Sequence, residues 1–167
     1  SQPQTLKYRE GLLQCQMELG HLETTIANAT GMIARKPEWK SELNGYRVHA
    51  AWRLCDWASL HSFVKDKSLP CFETSMGQII AAAQQKRLDK FNSLIADARD
   101  GLLRKLSAVS SEFGSYERAY EHMLELHMVR DIEHAVLPIL EQQEGAPSRV
   151  AEIKQTVAEF HTRVSLT

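Results

Sequence analysis

Cysteine, proline and glycine are all scarce in this chain of 167 residues, which holds three, five and eight of them. Cys15, Cys55 and Cys71 are odd in number, widely spaced and free of any C-x-x-C pair, so neither a disulfide framework nor a zinc knuckle is encoded. Reduced, buried thiols are the expectation, because free cysteine behaves as a small hydrophobe, and with them a reducing compartment. So few prolines and glycines leave little room for linkers, and nothing in the composition points to disorder. No apolar run reaches the roughly 18 residues of a membrane span, and no basic start leads into the apolar stretch of a signal peptide. A soluble, intracellular protein is expected. Charge of one sign is missing too: the formal net charge is -1, which gives no global field to attract phosphate backbones or anionic lipid. Direct binding to nucleic acid or to a membrane is therefore not expected. The chain also lacks an initial methionine, and its opening Ser1-Gln2-Pro3 reads as an excised piece of something longer.

What is present is apolar content of 43%, distributed at helical spacing. Leu12, Leu13, Cys15, Met17 and Leu19 recur densely enough for a first helix, and Gly20 supplies a left-handed stop. A second helix is expected from Leu22 to Lys36, and Pro37 with Glu38 opens a third that ends near Leu54. Asp56 caps a short fourth helix with Trp57, Leu60, Phe63 and Val64 on one face. Lys65 to Pro70 reads as a loop, and Ser75-Met76-Gly77-Gln78 has the spacing of a capping box, which starts a fifth helix. A sixth runs from Leu88 to Val109, with Gly101 costing about 1 kcal/mol relative to alanine. Gly114-Ser115 marks a sub-boundary near residues 110–115, with Ser115 as the cap of a seventh, long helix carrying Tyr116, Tyr120, Leu124, Met128, Ile132, Val136 and Leu140. Pro138 predicts a kink or an early end there. After a turn at Glu144 to Pro147, Ser148 caps an eighth helix with Val150, Ile153, Val157, Phe160 and Val164.

Eight helices joined by short connections, with no convincing strand, define an all-α fold of antiparallel neighbours. Thr25-Ile26, Ser59-Leu60 and Ser93-Leu94 recur at intervals of 34, as do Gly11 and Gly45. That is the period of tetratricopeptide-like hairpins, so the expectation is a single helical-repeat segment, hairpins stacked as a tetratricopeptide- or HEAT-like α-solenoid.

Patterns that carry chemistry are weak. Glu18-x-x-His21 and Asp131-x-x-His134 have the carboxylate-x-x-histidine spacing of di-iron bundles, but such a site also needs two further carboxylates facing inward and Gly20 is expected to break the helix between Glu18 and His21, so no metal site is assigned. His127-Met128-Val129-Arg130-Asp131 resembles a kinase catalytic loop only superficially, since the triplet is interrupted and no asparagine follows at the required distance. With no Gly-rich phosphate loop, G-x-S-x-G or H-E-x-x-H, no catalytic or cofactor-binding residue is assigned and the segment is expected to be non-enzymatic. Trp39, Trp52, Trp57, Tyr46, Tyr116 and Tyr120 lack interleaved basic residues, which argues for inter-helix packing over a stacking platform for single strands. The residues assigned to packing are Trp52, Trp57, Tyr116, Tyr120, Leu124 and Met128.

From Ala98-Arg99 through Gly114-Ser115-Tyr116-Glu117-Arg118-Ala119-Tyr120 to Leu126-His127-Met128 and Ile132-Glu133, the chain resembles the FAT domain of phosphatidylinositol-3-kinase-related kinases. Upstream, Tyr46-Arg47-Val48, Ala50-Ala51-Trp52-Arg53-Leu54 and Trp57 are similar to that family's hairpin in which two tryptophans bracket a tight turn. Gly-Ser-Tyr and Leu-His-Met resemble the ATR branch in particular. The resemblance implies a helical scaffold that wraps and regulates a kinase domain and contributes to dimer contacts. The parent it implies is a nuclear serine/threonine kinase of the DNA-damage and replication-stress checkpoint, using ATP and Mg and working with an ATRIP-type partner. Its ATP-binding and catalytic residues would lie outside this piece. A freestanding tetratricopeptide-like adaptor, binding peptide in a groove lined by basic and asparagine side chains, is the alternative.

Overall fold

The computed structural model describes residues 2–65, 71–110 and 116–143. Among these described residues seven α-helices run in order: α1 Gln2–Glu18, α2 Leu22–Arg35, α3 Lys40–Arg53, α4 Trp57–Val64, α5 Phe72–Gln84, α6 Leu88–Ser110 and α7 Tyr116–Gln143, with a 3-10 turn at Pro37–Trp39 between α2 and α3. No strand occurs among the described residues. The expected eighth helix, the Ser115 cap and most of the loop before Cys71 lie outside them. The chain divides into two compact units, Ser1–Ala81 and Ala82–Thr167.

Three turns of one design set the repeat. Gly20, Cys55 and Lys86 have positive φ, at 78°, 55° and 57°. After α1, the Gly20 N–H donates to the Met17 carbonyl and the His21 N–H to that of Gln16; Cys55 to Trp52 with Asp56 to Ala51, and Lys86 to Ala83 with Arg87 to Ala82, repeat the pattern. Each is a Schellman motif that satisfies the orphan carbonyls at a helix end, and each is followed two residues later by the next helix. Burial keeps the same register. Seven residues before the left-handed position stand Leu13, Val48 and Ile79, and five after it stand Thr25, Leu60 and Phe91, all fully buried. The repeat is thus anchored on Gly20, Cys55 and Lys86, spaced by 35 and then 31 residues. The even interval of 34 expected from sequence pairs Thr25 with Ser59, one residue away from its structural equivalent, and Gly11 and Gly45 do not share a role: a Cβ on Gly11 would meet nothing, one on Gly45 would touch the Cys71 sulfur.

In the first unit, Leu13, Ala29, Trp39 and Leu43 form one buried cluster, with Leu6, Met32, Ile33 and Tyr46 packed against it. Val48, Ala51, Leu60 and Ala81 form a second, flanked by Ile26, Trp52, Trp57, Phe63, Val64 and Ile80. Fully burying one such aliphatic side chain contributes about 1.5–3 kcal/mol, so these clusters dominate the unit's cohesion. α3 lies against both α1 and α2 and then turns into α4. Polar groups inside are satisfied locally: the Thr25 hydroxyl donates to the His21 carbonyl, the Asn44 amide donates to the Phe63 carbonyl, and Arg47 donates to Asn44 Oδ1 at 2.7 Å while its guanidinium lies over the Phe63 ring. This buried Asn44–Arg47 pair ties α3 to α4 and has no counterpart in the hydrophobic pattern.

In the second unit α6 packs along α7. Phe91, Ile95 and Leu102 are the buried apolar residues of α6, Val129 and Leu140 those of α7, and Arg99 forms an ion pair with Glu133 between the two helices. Pro138 lies inside α7, which continues to Gln143 rather than ending early. α5 starts at Phe72, not at Ser75. Its start is fixed by Cys71 and Thr74, whose hydroxyl accepts from the Cys71 N–H at 2.9 Å, the back-reaching half of a capping box. The serine and glutamine of the Ser75 spacing sit inside the helix, where Ser75 N–H already bonds the Cys71 carbonyl. By contrast Asp56 caps α4 as expected, accepting from the Ser59 N–H at 3.1 Å.

Candidate functional site

The residues assigned to packing fall into two groups. Trp52 and Trp57 flank the Cys55 turn, half-buried against the second cluster, with the Trp52 ring stacked on His49 at 5.4 Å. Tyr116, Tyr120, Leu124 and Met128 are instead exposed, at 80%, 51%, 46% and 47%. They follow one another by four residues along a face of α7 away from Val129 and Leu140, so they are not interlocked in a core among the described residues. Tyr116 and Tyr120 stack on each other, 6.4 Å between ring centres.

The cysteines also differ from expectation. Cys15 and Cys55 are exposed and Cys71 is half-buried, because Cys15 lies on the outer side of α1 and Cys55 occupies a turn position that projects its side chain outward. Glu18 and His21 are separated by the left-handed Gly20, Asp131 and His134 are both exposed on α7, and no cluster of three metal-ligating side chains exists among the described residues. The stretch from His127 to Asp131 lies within the continuous helix α7, a geometry unlike a catalytic loop. None of the helices described is long and apolar enough to cross a membrane.

A feature missed by motif reading is a groove of about 390 Å³ bounded by α1, α3 and the start of α5, the first helices of three successive hairpins. Glu10 and Glu18 from α1, Glu42 from α3 and Glu73 from Cys71–Glu73 line it, with Tyr46, His49 and Arg53 between them. Burial, and then the carboxylates of Glu10 and Glu73, raise the pKa of the Tyr46 phenol. Burial, and then the Arg53 guanidinium, lower that of His49, with Glu73 pulling the other way, so the imidazole is neutral at physiological pH. Arg53 itself donates to the Met17 carbonyl at the end of α1. No sequence motif signals this site because its residues come from positions 10 to 73 and meet only once the hairpins stack.

With the geometry in view, comparison with known proteins decides the family: the FAT domain model matches residues 44–165, most of the chain. The chain belongs to the FAT domain family. This FAT segment is 30% identical over 142 residues to a protein named Serine/threonine-protein kinase ATR from Oryza sativa subsp. indica, and 26% identical over 143 residues to the one from Arabidopsis thaliana. It is 28% identical over 138 residues to Serine/threonine-protein kinase mTor from Drosophila melanogaster. Each alignment takes in nearly four-fifths of the FAT segment, 78% or 79%, and only 5% of the relative, so the chain spans about a twentieth of the length of these relatives. No solved structure matches. The first family motif, Tyr46 to Trp57, lies on α3 and α4 and builds the core of the first unit, whereas the second, Tyr116 to Met128, forms the open face of α7.

Proposed function

We propose that this FAT segment is a non-catalytic scaffold within an ATR-type serine/threonine kinase of the nuclear DNA-damage and replication-stress checkpoint. Its work is mechanical: helical hairpins fix the position of neighbouring repeats and of the kinase domain, and their packing carries restraint or activation between a partner site and the active site. Contacts to an ATRIP-type partner and between two copies of the kinase belong to the same reading, as do ATP and Mg in the kinase domain. The observation that carries it is the set of alignments above, in which most of this chain corresponds to a small share of much larger kinases. The open stripe on α7 supports it, since a helix that buries one apolar face and exposes another is suited to lie between neighbours.

The test is made in the full-length kinase. Trp52→Ala loosens the Cys55 turn from within and Tyr120→Ala removes a side chain from the open face. Both are expected to change basal or partner-stimulated phosphorylation of a peptide substrate several-fold, with ATP KM unmoved. Unchanged basal and stimulated rates, alongside measured loss of packing at Trp52, would reject coupling through this segment.

A further inference from the structure

The groove between α1, α3 and the start of α5 has an electrostatic character that the rest of the chain does not share. Four carboxylates, Glu10, Glu18, Glu42 and Glu73, face one guanidinium, Arg53, giving the lining a net charge of -3 with His49 neutral. The whole chain carries -1, so everything outside the groove sums to +2. Negative charge is therefore gathered here, on three separate helices, against the cost of mutual repulsion. A concave, low-dielectric wall focuses such a field.

The four carboxylates are not equally engaged. Glu18 accepts from the Gln14 amide at 2.9 Å and Glu42 from the Ser41 hydroxyl. Glu10 and Glu73, from α1 and α5, form no hydrogen bond or ion pair with a described residue, and both act on the half-buried phenol of Tyr46 between them. The floor is less polar: Met17 and Gly45 are buried and Cys71 is half-buried, its sulfur against Gly45. Carboxylates that bond no described residue, above a less polar floor, suit an amphipathic guest that brings cations and a hydrophobic side chain together.

We propose that this groove docks a peptide segment presenting arginine or lysine to Glu10 and Glu73 and an apolar side chain toward Met17 and Tyr46. The occupant is a basic segment of protein rather than nucleic acid, which the four carboxylates repel. This goes beyond the scaffold reading and stands apart from it: failure here leaves the kinase placement untouched, and failure there leaves the groove chemistry intact.

The probe is a fluorescein-labelled eight-residue peptide alternating leucine and arginine, titrated against the whole 167-residue chain and followed by anisotropy. Binding in the micromolar range is expected, weakening at least tenfold in Glu10→Gln/Glu73→Gln and less than twofold in Glu117→Gln/Glu121→Gln, which removes the same charge from exposed α7 positions. Thermal melts of all three proteins, expected to coincide because Glu10 and Glu73 bond no described residue, exclude unfolding as the cause. Equal weakening by the two double variants would show a bulk charge effect and overturn the site, as would failure of the unaltered chain to bind the peptide below millimolar concentration.

Discussion

Replacing Gly77 by alanine tests the packing of the first unit at its tightest point. A Cβ built there lies 2.2 Å from Val48 Cγ1, 3.2 Å from Val64 Cγ1 and 3.4 Å from Leu60 Cδ1. Val48 and Leu60 are fully buried, and a valine on a helix has one strongly preferred rotamer, so it cannot swing aside. α5 must instead back away from α3 and α4. Overpacking of this kind costs about 1–3 kcal/mol, and so close an approach belongs at the upper end. Alanine returns about 1 kcal/mol in helix propensity, which leaves a net loss of about 2 kcal/mol. The three tryptophans, Trp39, Trp52 and Trp57, all lie in this unit, so urea unfolding followed by tryptophan fluorescence reports it alone. The matched control is Gly101→Ala, where a Cβ would meet nothing within 4 Å; circular dichroism should show the second unit stabilised by about 1 kcal/mol. Adding Val48→Ala to Gly77→Ala should recover part of the loss, a non-additivity expected only of groups in contact. A Gly77→Ala midpoint equal to or above that of the unaltered chain would refute the close approach and with it the seating of α5 on α3 and α4.

Two further outcomes follow from single positions. Cys55 holds a left-handed conformation at φ 55°, which costs a side-chain-bearing residue about 1–2 kcal/mol; Cys55→Gly removes that strain, loses part of it to unfolded-chain entropy, and should raise stability by about 0.5–1 kcal/mol in the same urea assay, while a lower midpoint would contradict the turn geometry. His49 has its pKa lowered, by burial first and by Arg53 second, so below the unfolded value of about 6.5 the unfolded chain takes up a proton that the folded chain refuses. Its contribution to stability is fully present above that pH and is lost as the pH falls toward the folded pKa; a pH series of unfolding midpoints should therefore drop less steeply on the acid side in His49→Gln, and superimposable profiles would count against a neutral, enclosed imidazole.

Helix content and the turn at Gly20 were legible in the sequence because each rests on local chemistry: apolar spacing for the one, a residue without a Cβ for the other. The turns at Cys55 and Lys86 were not, since a cysteine or lysine at positive φ leaves no mark in composition, and the repeat was read in a register of 34 that drifts from the true spacing of 35 and 31. Family resemblance succeeded where periodicity did not. Tyr46-Arg47-Val48 and the two tryptophans identify the hairpin directly, although the buried partnership of Arg47 with Asn44 appeared only in three dimensions. The groove was illegible for a related reason: Glu10 and Glu73 are separated by nearly two repeats and come to act together on Tyr46 only once the chain is folded.

The exposure of Tyr116, Tyr120, Leu124 and Met128 separates two meanings of a motif. α1 shows the same division, with Leu13 and Met17 buried while Tyr8 and Leu12 are 80% and 42% exposed. Residues that stabilise a fold from within are chosen by the neighbours they already touch, and Val48, Leu60 and Phe91 are of that kind. The stripe on α7 is exposed instead, so packing among the described residues does not explain why large apolar groups recur there every fourth residue. Left in water, four such side chains forgo burial worth about 1.5–3 kcal/mol each, and contiguous apolar patches of this sort mark interaction surfaces. In a helical-repeat protein each unit buries its outward face on the next. Exposure of this kind, recurring every fourth residue on one helix, is what separates the α7 stripe from the tryptophans of the first hairpin, which are half-buried in a core.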